Sequence, residues 1–259
     1  MKSNPMSNNG NVELSISDNI GTIEFSHPKG NSLPGAILRK LATTIDEAGN
    51  NDEIKVIVLK SSGEGAFCAG ASFDELVAIE DFDTGKQFFM GFALVLNAMR
   101  NSPKLIIVRV HGKTVGGGVG IAAAGDYTFA KKGASVKLSE LALGIGPFVV
   151  GPAVERSVGT SAFSCMSVDA TTWYNTSWAT DKGLFSKEFE STEELDQAVL
   201  ALAAQLAKSS AEAMRELKMV LWKGTENWTE LLDQRAEVSG RLVLSDYTKN
   251  FIKKFKSKG

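Results

Sequence analysis

The chain has 259 residues, 43% of them hydrophobic and 22% charged, with a formal net charge of -2. These are ordinary values for a folded globular protein, and they exclude both a disordered chain and the strong positive field of a nucleic-acid binder. The only cysteines are Cys68 and Cys165 and the only histidines His27 and His111, in no ligand spacing, so neither a disulfide framework nor a metal site is expected. The N-terminus, Met1 to Gly10, has no apolar stretch of the secretory kind and reads as a frayed tail. The longest uncharged apolar run, Leu141 to Val154, is interrupted by glycines and prolines. It falls short of the roughly 20 residues that span a bilayer. The chain is expected to be soluble and cytoplasmic, with neither membrane nor nucleic acid among its partners.

Two β-rich runs come first, Val12–Ile16 and Gly21–Phe25, joined by a turn at Asp18-Asn19. Pro34 to Ala48 follows with Ile37, Leu41, Ile45 and Ala48 on one helical face, and Gly49 to Asp52 stops it. Val56–Leu59 is continuously apolar, as in a strand buried on both faces. The pattern recurs: Phe88–Arg100 is helical, Leu105–Val110 a buried strand, Gly116–Gly125 a small-residue helix and Tyr127–Ala130 a strand. Alternating strands and helices predict an α/β protein. After about residue 155 the character is mainly helical, with helices predicted over Glu193–Lys208, Ala211–Trp222 and Glu230–Leu244. We therefore expect a core over 1–190 and a helical extension over 191–259, packed on that core or on a neighbouring subunit.

Three segments carry chemistry. Gly63 to Leu76 follows a buried strand, and residues 69–72 (Ala-Gly-Ala-Ser) have almost no side-chain bulk, which admits a ligand close to the backbone. A tight turn packed under a helix would use the same residues. His111 to Gly120 also follows a buried strand and opens a helix at Gly116-Gly117-Gly118. The first N–H groups of a helix lack intrahelical partners and favour anions, although close helix packing would also call for glycine. Two such junctions suggest a pair of N–H donors converging on one oxygen, an oxyanion hole. In the third segment, Glu140 is the only acid in the apolar stretch Val136 to Pro147. Burial would raise its pKa and suit it to proton transfer near neutral pH; a capping or ion-paired carboxylate is the plainer alternative.

Taken together, Ala66-Phe67-Cys68-Ala69-Gly70-Ala71, His111-Gly112 with Gly116-Gly117-Gly118, and Ser139-Glu140 with Leu143-Gly144 and Pro147 resemble the crotonase family, the enoyl-CoA hydratase/isomerase superfamily. The resemblance runs from the Val12 strand through Pro28 and Asn31 into the C-terminal helices. It implies a spiral of ββα units with a helical C-terminal region used in trimerisation, as a homotrimer or homohexamer. It also implies an acyl-CoA thioester substrate, with coenzyme A part of that substrate and no separate cofactor. Carried over, the N–H groups of Ala71 and Gly117 hold the thioester oxygen. Ala69, Gly70, Ser72, Phe73 and Gly116 lie along the substrate, and Lys254, in the basic stretch Lys249 to Lys258, either meets a CoA phosphate of its own or a neighbouring subunit or belongs to a solvated basic helix end.

The pattern breaks at one place. Hydratases of the family use two glutamates, and the first belongs three residues beyond the middle glycine of the triplet, where this chain has Gly120. Ser72 and Ser139 also replace a common aspartate and a common proline. Hydration must activate water, and a general base contributes about 10²–10⁴-fold. Moving a double bond needs no water and one base. Glu140 as a lone proton shuttle therefore favours isomerase-type chemistry over hydration, decarboxylation of a branched acyl-CoA, or a non-catalytic CoA-binding scaffold. Asp74, Glu75 and Glu80 either reach the acyl site, as acids placed elsewhere do in some members of the family, or form a solvated helix face, the plainer reading. Phe88, Phe89 and Phe92 either shape an acyl pocket or pack a helix face.

Overall fold

The computed structural model describes residues 10–256. The expected N-terminal tail, residues 1–9, and Lys258 of the basic stretch lie outside them.

Strands β1 (Asn11–Ser17) and β2 (Ile20–Ser26) form an antiparallel hairpin. Its two-residue turn has Asp18 and Asn19 at φ 53° and 62°. Those left-handed values match a turn whose twist suits a hairpin, and Asp and Asn tolerate them best after glycine. Helix α1 (Gly35–Asn50) buries Leu41 and Ile45 completely and leads to β3 (Val56–Ser61). The short helix α2 (Phe73–Val77) and the long α3 (Phe82–Asn101) precede β4 (Leu105–Val110). Next come β5 (Thr114–Val115), α4 (Gly117–Ala123), β6 (Tyr127–Lys131) and β7 (Ser135–Lys137). A 3-10 turn at Leu141–Leu143 leads into α5 (Gly151–Val168), β8 (Tyr174–Asn175), α6 (Thr176–Asp181) and β9 (Lys187–Phe189). Four helices end the chain: α7 (Thr192–Ala207), α8 (Ala211–Leu221), α9 (Trp228–Leu242) and α10 (Asp246–Lys256).

The main sheet has the order β1-β2-β3-β4-β6-β9, parallel after the first hairpin. Its central strands are apolar on both faces because both faces are covered. Ile57, Leu59, Ile106 and Val108 meet the core formed with α1, α3 and α4. Val56, Val58 and Ile107 meet Leu195, Val199 and Ala203 of α7. Each fully buried aliphatic side chain contributes about 1.5–3 kcal/mol. A second, small sheet runs β5-β7-β8, and isolated parallel bridges at Leu33–Ala71 and Cys68–Thr114 extend its pattern. Successive turns of the chain thus give one long strand to the main sheet and one short extended piece to the small sheet. The structure is α/β, as expected.

The expected elements recur with boundaries moved by a few residues; α3 begins earlier than expected, at Phe82. The expected small-residue helix is shorter, Gly117–Ala123, because Gly116 stands outside it at φ 53°. Within the chain, α9 packs along α3, and α8 is pinned by a buried ion pair between Lys218 and Asp126, with Nζ 2.7 Å from Oδ2. No helix among the described residues is long and apolar enough to cross a membrane.

Candidate active site

The small sheet sets the two turns side by side. Cys68 and Thr114 are paired in parallel, with Cys68 N donating to Lys113 O (3.3 Å) and Val115 N to Cys68 O (2.9 Å). Ala71 and Gly117 each lie three residues beyond that pair. On its other side, Ala71 bridges Leu33: Leu33 N donates to Gly70 O (2.8 Å) and Ser72 N to Leu33 O (3.1 Å). Strand alternation therefore turns the N–H of Ala71 away from Leu33, toward the side on which Gly117 lies. Gly117 is the first residue of α4, where an N–H has no intrahelical acceptor. Among the described residues, neither N–H donates to any group of the chain.

Both residues line one cavity of about 560 Å³, as do Ala69, Gly70, Phe73 and Gly116. That size is typical of a small-molecule pocket. Ser72 is not on its wall; its hydroxyl caps α2 and accepts from Glu75 N at 3.3 Å. Lys254 is exposed on α10, one turn beyond Phe251, which does line the cavity. The ring of Phe92 lies against Gly117, so that a Cβ there would stand 2.2 Å from it. Glycine at 117 thus keeps an aromatic wall and a free N–H at one place.

Glu140 projects into the same cavity. Its Oε1 lies 3.0 Å from where a Cβ of Gly116 would be, so the carboxylate sits beside the second turn. Oε2 is shielded from solvent and has no hydrogen-bond partner. Burial pushes the carboxyl up to about 7, against the opposing pull of the backbone N–H groups of Glu140 and Ser139. The capping alternative fails, since Glu140 begins the 3-10 turn without a side-chain cap bond.

The acids after the first turn are placed otherwise. Asp74 borders the cavity but pairs with Lys29, and both side chains are well exposed. Glu75 is not simply solvated: its Oε2 accepts from Gly35 N (2.8 Å) and so caps α1. At Gly120 a Cβ would stand 2.7 Å from Val150 Cγ1, and Val150 is itself on the cavity wall.

Sequence reading missed Lys29, Lys137, Phe148, Val150 and Phe251, all on the cavity wall. The lysines carry no local signal, and Phe148 and Val150 sit in an apolar run without periodicity. Asn31, noted only as part of the resemblance, holds the first turn. Its Nδ2 donates to Ser62 O (3.0 Å) and Ala66 O (2.9 Å), and its Oδ1 accepts from His27 N (2.8 Å). Phe88, Phe89 and Phe92 all reach the cavity.

The chain is 25% identical over 249 residues to a "Probable enoyl-CoA hydratase" of Bacillus subtilis (strain 168), covering 95% of this chain and 96% of that protein. It is 29% identical over 205 residues to the mitochondrial methylglutaconyl-CoA hydratase of Homo sapiens, covering 76% of this chain and 58% of that one. The crystal structure of enoyl-CoA hydratase from Bacillus halodurans superposes with a TM-score of 0.87 at 20% identity, over 94% of this chain and 99% of that one, a likeness of fold. The profile of the enoyl-CoA hydratase/isomerase family matches residues 15–259, and the chain belongs to that family.

Proposed function

We propose that the protein is an enoyl-CoA isomerase-type enzyme that shifts a double bond through a thioester enolate, with Glu140 as its single proton shuttle. One observation carries this reading. Glu140 is a carboxylate on the cavity wall whose Oε2 has no partner, while Asp74 is tied to Lys29 and Val150 fills the space beside Gly120.

A 3-enoyl thioester binds with its carbonyl oxygen between the N–H groups of Ala71 and Gly117. The Glu140 carboxylate removes a proton from C2, and the electron pair moves onto the thioester oxygen as a dienolate. The two N–H donors stabilise that charge. Protonated Glu140 then returns the proton to C4, and the 2-enoyl thioester leaves. No water is consumed. A carboxyl titrating at about 7 serves both as base and as acid near neutral pH. Coenzyme A enters as part of the substrate, and the steps call for no separate cofactor. Ala69, Gly70, Phe73 and Gly116 lie along the thioester, and Lys254 is assigned to a CoA phosphate.

The exposed apolar side chains of α8, Leu217, Val220 and Leu221 at 49%, 70% and 42% exposure, support association into a homotrimer or homohexamer. In this reading residues 191–259 form the oligomerisation region appended to the 1–190 core.

Hydration is the second reading, favoured by the hydratase names of the relatives. Purified protein given 3-enoyl-CoA and 2-enoyl-CoA separates the two by mass. A positional shift without mass change is expected; gain of water would replace the proposal with hydration. Loss of CO₂ from a branched diacid thioester would replace it with decarboxylation, and binding without turnover would leave a CoA-binding scaffold.

A further inference from the structure

The cavity wall is largely aromatic and aliphatic. Aromatic rings of Phe88, Phe89, Phe92 and Phe148 and the side chains of Val150 and Ile145 form much of the wall. Two of the wall hydroxyls are turned to the protein, Ser32 Oγ donating to Ala71 O (2.9 Å) and Ser239 Oγ to Arg235 O (3.1 Å). Two cations border the cavity, and each is engaged elsewhere. Lys29 pairs with Asp74, and Lys137 Nζ lies over the Trp173 ring, 4.6 Å from its centroid. Glu140 is thus the lining carboxylate with an oxygen that no group of the protein engages, and its sign is negative whenever it acts as base.

We propose that the acyl pocket takes uncharged hydrocarbon acyl groups and rejects those that end in a carboxylate. This rests on reading the cavity as the acyl-CoA site. A terminal carboxylate entering the pocket would give up its water for aromatic and aliphatic walls, with the two bordering lysines already engaged by Asp74 and Trp173 and a second carboxylate, Glu140, on the same wall. An unpaired charge in such surroundings is strongly disfavoured. Flat rings and branched side chains instead receive alkyl or aryl groups without loss. The preference is independent of which reaction Glu140 performs, since it concerns the walls and not the proton transfer.

Two saturated thioesters of equal size test it, adipyl-CoA and 6-methylheptanoyl-CoA, which differ by a carboxylate in place of an isopropyl terminus. Their Kd values are measured by calorimetry on the full chain at pH 8, with free coenzyme A as reference. The expected result is that 6-methylheptanoyl-CoA binds roughly 10²-fold more tightly than adipyl-CoA. Equal or better binding of adipyl-CoA overturns the inference and leaves the acyl-CoA site standing. If neither ester binds better than free coenzyme A, the site reading and the inference fall together. As a second measurement, Phe148→Ala should narrow the gap by weakening the hydrocarbon ester while leaving adipyl-CoA unchanged; equal weakening of both would count against the wall as the source of the preference.

Discussion

Val150 occupies the space that a side chain at Gly120 would need: its Cγ1 is 2.7 Å from the position of a Cβ there. The two residues come from different elements, Gly120 from α4 and Val150 from the approach to α5. The missing second carboxylate is thus a closed position with a packed aliphatic wall, and restoring the acid alone does not restore its site.

Gly120→Glu is expected to overpack this contact and destabilise the chain by about 1–3 kcal/mol without giving hydratase activity. Gly120→Glu combined with Val150→Ala should recover much of that loss. Thermal unfolding of both variants, with products followed by mass, checks this. A stable, unimpaired single variant would show that the wall yields.

Activity should depend on pH with the sign of a base. Burial pushes the Glu140 carboxyl up to about 7, and in the proposed reaction its carboxylate form removes the first proton. kcat/KM for a 3-enoyl-CoA should therefore fall as pH drops through about 7 and level off above it. Glu140→Gln should lose about 10²–10⁴-fold in kcat while retaining acyl-CoA affinity. A flat profile between pH 6 and 8 would remove Glu140 from the mechanism.

Gly117→Ala drives a methyl into the Phe92 ring, 2.2 Å from the ring carbons. We expect a loss of about 1–3 kcal/mol in stability. Displacement of the N–H donor should also lower kcat by about 10²–10³-fold. Adding Phe92→Ala should relieve the crowding, which chemical denaturation of the single and double variants measures.

Asn31→Ala removes a side chain that is 6% exposed and bonded to Ser62 O, Ala66 O and His27 N. Leaving those buried groups unpaired costs about 1–3 kcal/mol. Because Ala66 leads into the Ala69–Ala71 turn, KM should rise along with the loss of stability. Steady-state kinetics at a temperature where the variant is folded separate the two effects.

Lys218→Met strands Asp126 among buried groups. Lys218 and Asp126 side chains are each 4% exposed, and Lys218 Nζ also donates to Met99 O (2.9 Å). Breaking one half of such a pair costs about 3–5 kcal/mol. Asp126 keeps its bonds from Trp222 Nε1 and Ile106 N, both 2.7 Å, so the lower part of that range is expected. Urea unfolding of the variant measures it.

Sequence pattern was most informative where chemistry and structure are both local. The Ala69–Ala71 turn, the Gly116–Gly118 triplet and Glu140 are each set by a few consecutive residues. The hairpin at Asp18-Asn19 and the face of α1 are equally local. The region from α5 to β9 was illegible for a physical reason. α5 is interrupted at Gly159, where φ is 75°, and β8 is only two residues long, so no periodicity develops. Its pairing with β7 is decided across the chain. Ser72 and Glu75 have roles that local pattern does not show: one caps α2 and the other caps α1, which depends on which helix start lies within reach.

By itself, then, the sequence determined the α/β alternation, the two small-residue turns and the carboxylate that accompanies them. These follow from residue size, backbone freedom and short-range periodicity, which neighbours along the chain settle. Tertiary structure decided what each of them faces. It set the unbonded N–H groups of Ala71 and Gly117 on one cavity, left Glu140 Oε2 without a partner, and placed Val150 against Gly120. Burial, solvation and free space at a point are fixed by atoms from distant segments, and those meet only when the small sheet and the helices close around the site.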